Sequence, residues 1–161
     1  MTTSSSKRTV GELMTREPVA LSPHDSVALA ARLMDELNVG ALPVCENWEV
    51  RGLLTDRDIT VRVIAAGLDP AATPTENVMT DRVRCASARQ SVGEVLALMG
   101  SVQIRRMPVL DDHGLLVGIV TLGDLAAHEV PGVADALRDI STPAAPDRPA
   151  AAPSATEVAL A

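Results

Sequence analysis

The chain has 161 residues and a formal net charge of −7, with 14 Lys and Arg against 21 Asp and Glu. Hydrophobic residues make up 47% of it, which supports one domain of ordinary size with its own core and excludes a disordered polymer. One Trp, with no Tyr and no Phe, leaves no stacking platform for single-stranded nucleic acid, and the acidic balance argues against a phosphate-backbone surface.

No run of about 18 apolar residues is present, so no membrane helix is expected. The Ser/Thr-rich start lacks the apolar core of a secretory signal. Cys45 and Cys85 have no metal-ligand spacing, and neither do His24, His113 and His128. A cytoplasmic protein with reduced, packed thiols is expected. No Ser/His/Asp or Cys/His arrangement points to a nucleophile, so no catalytic residue is assigned.

In chain order, residues 1–8 read as a flexible tail. Residues 9–70 and 71–140 read as two copies of one unit, and residues 141–161, rich in Ala and Pro, as a disordered tail. The copies align residue by residue: Met14 with Met79, Ser22 with Ser87, Val27 with Val92, Met34 with Met99, Pro43-Val44 with Pro108-Val109. Each unit is expected to open with a short helical turn and an extended piece, Pro18–Leu21 in the first and Val83–Ala86 in the second. Ser22 and Ser87 are then helix N-caps, with Asp25 and Gln90 three residues on. The first helix places Val27, Ala30, Ala31, Met34 and Leu37 on one face, and the second Val92, Val95, Leu96, Met99 and Val102. Two strands follow, Gly40–Cys45 with Val50–Leu54 and Arg106–Leu110 with Leu115–Val120. Trp48 lies at the first hairpin tip, either exposed or covering a partner subunit. Each unit is thus β-α-β-β-α in an α+β fold, with a final helix over Val133–Ile140.

Both units then carry Gly-x-x-Thr-x-x-Asp, as Gly52-Leu53-Leu54-Thr55-Asp56-Arg57-Asp58 and Gly118-Ile119-Val120-Thr121-Leu122-Gly123-Asp124. A strand runs into a threonine where a helix starts. The free amides there attract phosphate, and the aspartate offers acceptors for sugar hydroxyls. The same spacing is also a capping box, and both readings stand. After Asp58 the helix up to Gly67 is apolar nearly all round, with only Thr60 and Arg62 polar between Ile59 and Ala66. It needs a second cover, from the other unit or from a second subunit in a homodimer.

Two such units, with Val39-Gly40-Ala41-Leu42-Pro43-Val44 and Ile104-Arg105-Arg106-Met107-Pro108-Val109 ahead of the doubled motif, resemble a tandem CBS-domain pair, or Bateman module, of the small stand-alone bacterial kind. The resemblance covers residues 9–127 and implies a pseudo-two-fold pair with two clefts that hold adenosine ligands such as AMP, ADP, ATP or a related adenosyl compound. It assigns Asp58 and Asp124 to ribose, Thr55 and Thr121 to phosphate. Pocket walls come from Ala41, Leu42 and Pro43, and from Arg106, Met107 and Pro108. Thr15 with Val19, and Thr80 with Val83, close the sides. Arg57, Arg105 and Arg106 are candidate phosphate partners, preferred to the deeper Arg62, or else surface charges. The function implied is regulatory sensing of a nucleotide, passed to an effector protein. The alternative is a dimeric interaction module without a nucleotide. Neither a metal site, a nucleic acid nor a membrane is implied.

Overall fold

The computed structural model describes residues 8–142. The tail readings fall almost wholly outside them. α1 (Val10–Leu13) and β1 (Thr15–Arg16) precede α2 (Val27–Leu37), β2 (Ala41–Glu46) and β3 (Glu49–Thr55). α3 (Asp56–Asp58) continues as a π-helical stretch, Ile59–Ile64. After a 3-10 turn at Thr75–Asn77 come β4 (Ala86–Ser87), α4 (Val92–Val102), β5 (Arg106–Leu110), β6 (Leu116–Thr121), α5 (Leu122–Ala127) and α6 (Val133–Ser141).

The two long helices start one turn later than the sequence implies. Ser26 and Ser91 are the N-caps, their hydroxyls accepting from Leu29 N (3.2 Å) and Glu94 N (3.3 Å). Ser22 and Ser87 close a preceding turn instead, donating backbone N–H to Asp25 Oδ2 (2.7 Å) and Gln90 Oε1 (3.2 Å). A Ser-x-x-Asp pattern serves a turn as readily as a helix start, because both leave the same N–H groups free. Both helices end on a left-handed residue, Asn38 and Gln103. The α2 face is Val27, Ala30 and Met34, with Leu33 packed beside them. Ala31 and Leu37, expected inside, are exposed.

Two sheets result. One has order β1-β6-β5-β4, and the other is β2 with β3. Pro18–Leu21, expected to be a strand, contributes only a bridge from Leu21 to Val44. Its counterpart β4 runs parallel to β5. β1 belongs to the first copy in sequence but pairs with β6 of the second, Thr15 opposite Ile119 and Arg16 opposite Gly118. Thr80, ahead of the second copy, makes the reciprocal pairing with Leu53 through N–H···O bonds of 2.9 and 3.0 Å. The lead-in segments are therefore exchanged.

The core follows the exchange. Val10 and Met14 pack with Val95, Met99, Met107, Val109, Val120 and Leu125 in one cluster. Val78 packs with Leu21, Val27, Val44, Leu54 and Val63 in the other. Sequence units 9–70 and 71–140 thus differ from the packing units, each of which takes the other's lead-in.

The exchange explains the motif glycines. A Cβ on Gly118 would come within 2.8 Å of Met14 Cγ and of the Thr15 carbonyl oxygen. One on Gly52 would meet Met79 Cγ at 2.8 Å and the Thr80 carbonyl oxygen at 2.9 Å. Backbone cannot yield as a side-chain end can, so no other residue lets the crossing strand lie this close.

Cys45 lies within β2 and is buried, while Cys85 directly precedes β4 and is half-buried; both are free thiols. Burial, and secondarily the neighbouring Cys85, pushes the Cys45 thiol up to about 11.

Gly52→Ala and Gly118→Ala should each lower stability by about 1–3 kcal/mol in urea denaturation. Gly93→Ala, whose Cβ meets nothing within 4 Å on α4, should leave it unchanged or slightly raised. Because only the thiolate reacts, iodoacetamide at pH 8 should modify Cys45 far more slowly in the folded chain than in urea, and faster as pH climbs towards 11. Equal rates with and without urea would contradict that burial.

Candidate functional site

The exchange brings three segments around one cleft of about 300 Å³, near the lower end for ligand pockets. The first lead-in gives Thr15, Glu17, Pro18 and Val19. The α2–β2 junction gives Leu37, Val39, Ala41 and Leu42. The β5–β6 hairpin gives Arg106, Met107, Pro108, Ile119 and Thr121, and β3 adds Leu53. The walls are apolar, and the polar groups are Thr15, Glu17, Arg106 and Thr121. A wider recess of about 530 Å³ adjoins it across Val39, Arg106 and Thr121, with Gly40, Arg105, Leu122 and Gly123 in its wall.

Strand alternation builds these walls. Leu54 and Val120 point into the two cores, so Leu53 and Ile119 point the other way, into the cleft. Leu37 and Val39 flank the left-handed Asn38, which turns the chain from helix to strand at the cleft edge. Gly40 keeps two charged ends close: a Cβ there would meet Asp56 Oδ2 at 3.0 Å and Arg106 Nη1 at 3.3 Å. Arg106 therefore reaches from the second unit to the first.

Of the residues singled out in the sequence, Thr15, Val19, Ala41, Leu42, Arg106, Met107, Pro108 and Thr121 line this cleft, and Arg105 lines the recess. Thr55, Arg57, Asp58, Pro43, Thr80 and Val83 lie outside both linings. Asp124, half-buried, also lies outside both linings, its Oδ2 accepting from the Oγ1 of the lining residue Thr121. Glu17, Pro18, Leu37, Val39, Leu53 and Ile119 were not foreseen. Alternation against the buried Leu54 and Val120 positions signals two of them, and the unusual left-handed Glu17 backbone, φ 50°, has no signature in sequence.

Both motif aspartates form capping boxes. Asp58 Oδ2 accepts from Thr55 N (3.0 Å) and Thr55 Oγ1 (2.7 Å), and Thr55 Oγ1 accepts from Asp58 N (3.1 Å). Asp124 Oδ2 accepts from Thr121 N and Oγ1, both at 2.8 Å, and Thr121 Oγ1 accepts from Asp124 N at 3.1 Å. Each carboxylate thus holds its own helix start first, with one oxygen left over. Asp58 Oδ1 spends it on Arg62 Nη2 at 3.3 Å. Asp124 Oδ1 has no side-chain partner among the described residues. Arg57 is exposed, and Arg62 holds Asp58 and the lead-in carbonyls of Val78 (2.8 Å) and Met79 (3.0 Å). Among the described residues no group of three or more His, Cys, Asp or Glu is placed to hold a metal ion, and no helix is long and apolar enough to cross a membrane.

The CBS domain family matches the chain twice, over residues 10–64 and 76–130. The CBS domain-containing protein YhcV of Bacillus subtilis is 41% identical over 121 residues, 75% of this chain and 85% of that protein. Hypoxic response protein 1 of Mycobacterium tuberculosis is 38% identical over 121 residues, 74% of this chain and 84% of that one. A solved structure of hypoxic response protein I, described with two coordinated zinc ions, superposes with a TM-score of 0.69 at 37% identity, covering 75% of this chain and 98% of that one. CBSX2 in complex with AMP superposes with a TM-score of 0.66 at 27% identity, over 75% and 95%. Two family matches, the exchanged lead-ins and the cleft between the repeats lead to one conclusion: the chain belongs to the CBS-domain family, as a tandem pair.

Proposed function

We propose that this CBS pair is a regulatory sensor that takes an adenosine-type nucleotide in the cleft between its repeats. The observation that carries the reading is that one cleft draws its walls from both repeats and the exchanged lead-in. A ligand bridging them stabilises whichever relative placement it binds better, and can shift the pair by no more than that difference in affinity. The chemistry suits the ligand. Val39, Ala41, Met107 and Pro108 offer apolar surface for a flat base. Thr15, Glu17 and Thr121 offer partners for sugar hydroxyls, and Arg106 with Arg105 offers guanidinium groups for phosphate. The AMP complex of a structural relative supports this class, with AMP, ADP, ATP or a related adenosyl compound as candidates. The role is regulatory rather than catalytic, exercised in the cytoplasm through an effector protein.

The pair acts as a homodimer. Val63 of the π-helical stretch is fully buried, but its neighbours Val61, Ile64 and Leu68 are 53%, 59% and 46% exposed and form an apolar face. A symmetric contact through that face supplies the second cover the helix needs. The same face supports the second reading, an interaction module with no nucleotide.

A thermal-shift panel of adenine nucleotides separates the two. Ligand at about a hundred times Kd stabilises the folded chain by about 2.7 kcal/mol and raises Tm by several degrees. Ala41→Leu, which fills the cleft, should abolish that shift, and no shift with any adenosine ligand would favour the interaction module. Ile64→Glu should halve the mass seen by light scattering; an unchanged mass would place the dimer elsewhere or remove it.

A further inference from the structure

We infer that this pair is a single-site module: the nucleotide enters only the cleft at the Thr121 motif, and the mirror position at the Thr55 motif is closed by Arg62. The inference rests on the sensor reading above and adds which motif does the binding.

Arg62 is one helical turn beyond Asp58. Its guanidinium sits 3.3 Å from Asp58 Oδ1, the oxygen that the capping box leaves over. Its other bonds run to the lead-in: Val78 O at 2.8 Å, Met79 O at 3.0 Å and Thr80 Oγ1 at 3.4 Å. Asp58 and Thr80 mirror Asp124 and Thr15, and Thr15 lines the open cleft. One side chain of this protein therefore already holds the carboxylate and the hydroxyl that a sugar would need there. Asp58 has 13% of its side chain exposed and Arg62 45%, so an incoming hydroxyl must displace the guanidinium from the one oxygen the capping box leaves over.

The second copy has no such arm, for a reason in the helix lengths. The helical run after Thr55 continues through the π-helical stretch to Ile64, which keeps position 62 on the same face as Asp58. α5 stops at Ala127. The position matching Arg62 is His128, which lies beyond the helix end and is exposed; only its backbone is hydrogen-bonded among the described residues, N–H donating to Asp124 O at 3.1 Å and the carbonyl accepting from Arg8 Nη2 at 3.3 Å.

Isothermal titration of the full chain with AMP tests this. The expected result is one AMP per chain, lost or weakened at least about tenfold in Asp124→Asn, with the nucleotide-free melting temperature checked for each variant. Arg62→Ala should raise the count to two per chain, and Arg62→Lys, which keeps a charge but loses the fork, should give an intermediate second affinity. Two AMP per chain in the unaltered protein overturns the single-site inference and leaves the sensor reading standing. So does one AMP per chain that survives Asp124→Asn, or a count that stays at one in Arg62→Ala. No uptake of AMP, ADP, ATP or an adenosyl compound by either the unaltered protein or Arg62→Ala overturns the inference and the sensor reading together.

Discussion

The structure depends on a strand crossing at two glycines. The Met14-Thr15 segment presses on Gly118 and Met79-Thr80 on Gly52, each at a distance that leaves no room for a Cβ. Sheet pairing ordinarily joins neighbours in sequence. Here each repeat completes its core with a segment that belongs, by sequence, to the other: Val10 and Met14 on one side, Val78 on the other. Neither repeat has a finished core without its partner, so the pair is the cooperative unit of folding and the two halves cannot drift apart as beads on a string.

The cleft follows from that crossing. Once the first lead-in lies on β6, the residues after it, Glu17 to Val19, have to pass in front of β2 and β5, and the space between becomes a pocket with three independent walls. Its chemistry is set by strand alternation: one side of each strand fills a core, and the opposite side is left to face the other repeat. The doubled Thr-x-x-Asp plays two parts in different measure. In both repeats it ties down the first turn of a helix. In the second one carboxylate oxygen has no side-chain partner among the described residues; in the first that oxygen is held by Arg62.

The repeat and the order of its elements were legible in the sequence because they rest on local signals, and most of the β5–β6 side of the pocket because the motifs carry a family resemblance. Aliphatic periodicity marked Val92, Val95, Leu96 and Met99, which are all buried. The family resemblance carried by the Pro-Val strands and the Thr-x-x-Asp motifs assigned Ala41, Met107, Pro108 and Thr121 to the pocket, and all of them reach it. What could not be read is non-local. Nothing in Met14-Thr15 says that its partner is Ile119 rather than a strand of its own repeat. The helix starts slipped by a turn because Ser22 and Ser26 carry equivalent capping chemistry and only the fold chooses between them. The contacts of Arg62 are of the same kind, since a helical position says which face a side chain shares, not which foreign carbonyl it will find. Its hold on Val78 and Met79 exists only after the lead-in has crossed.

The hairpin between β2 and β3 turns through Asn47 and Trp48, both left-handed, with φ of 52° and 67°. A bulky ring in that conformation is uncommon, and glycine would occupy it at lower energy. The carbonyl of Trp48 accepts from Leu116 N at 2.9 Å, so this tip of the first repeat is fastened to the second, and the indole itself is 56% exposed. As the chain's sole tryptophan it is also the only strong near-ultraviolet fluorophore. Its emission colour and anisotropy therefore report on a single point at the seam between the halves, and an unlabelled sample carries its own optical gauge of how that seam shifts.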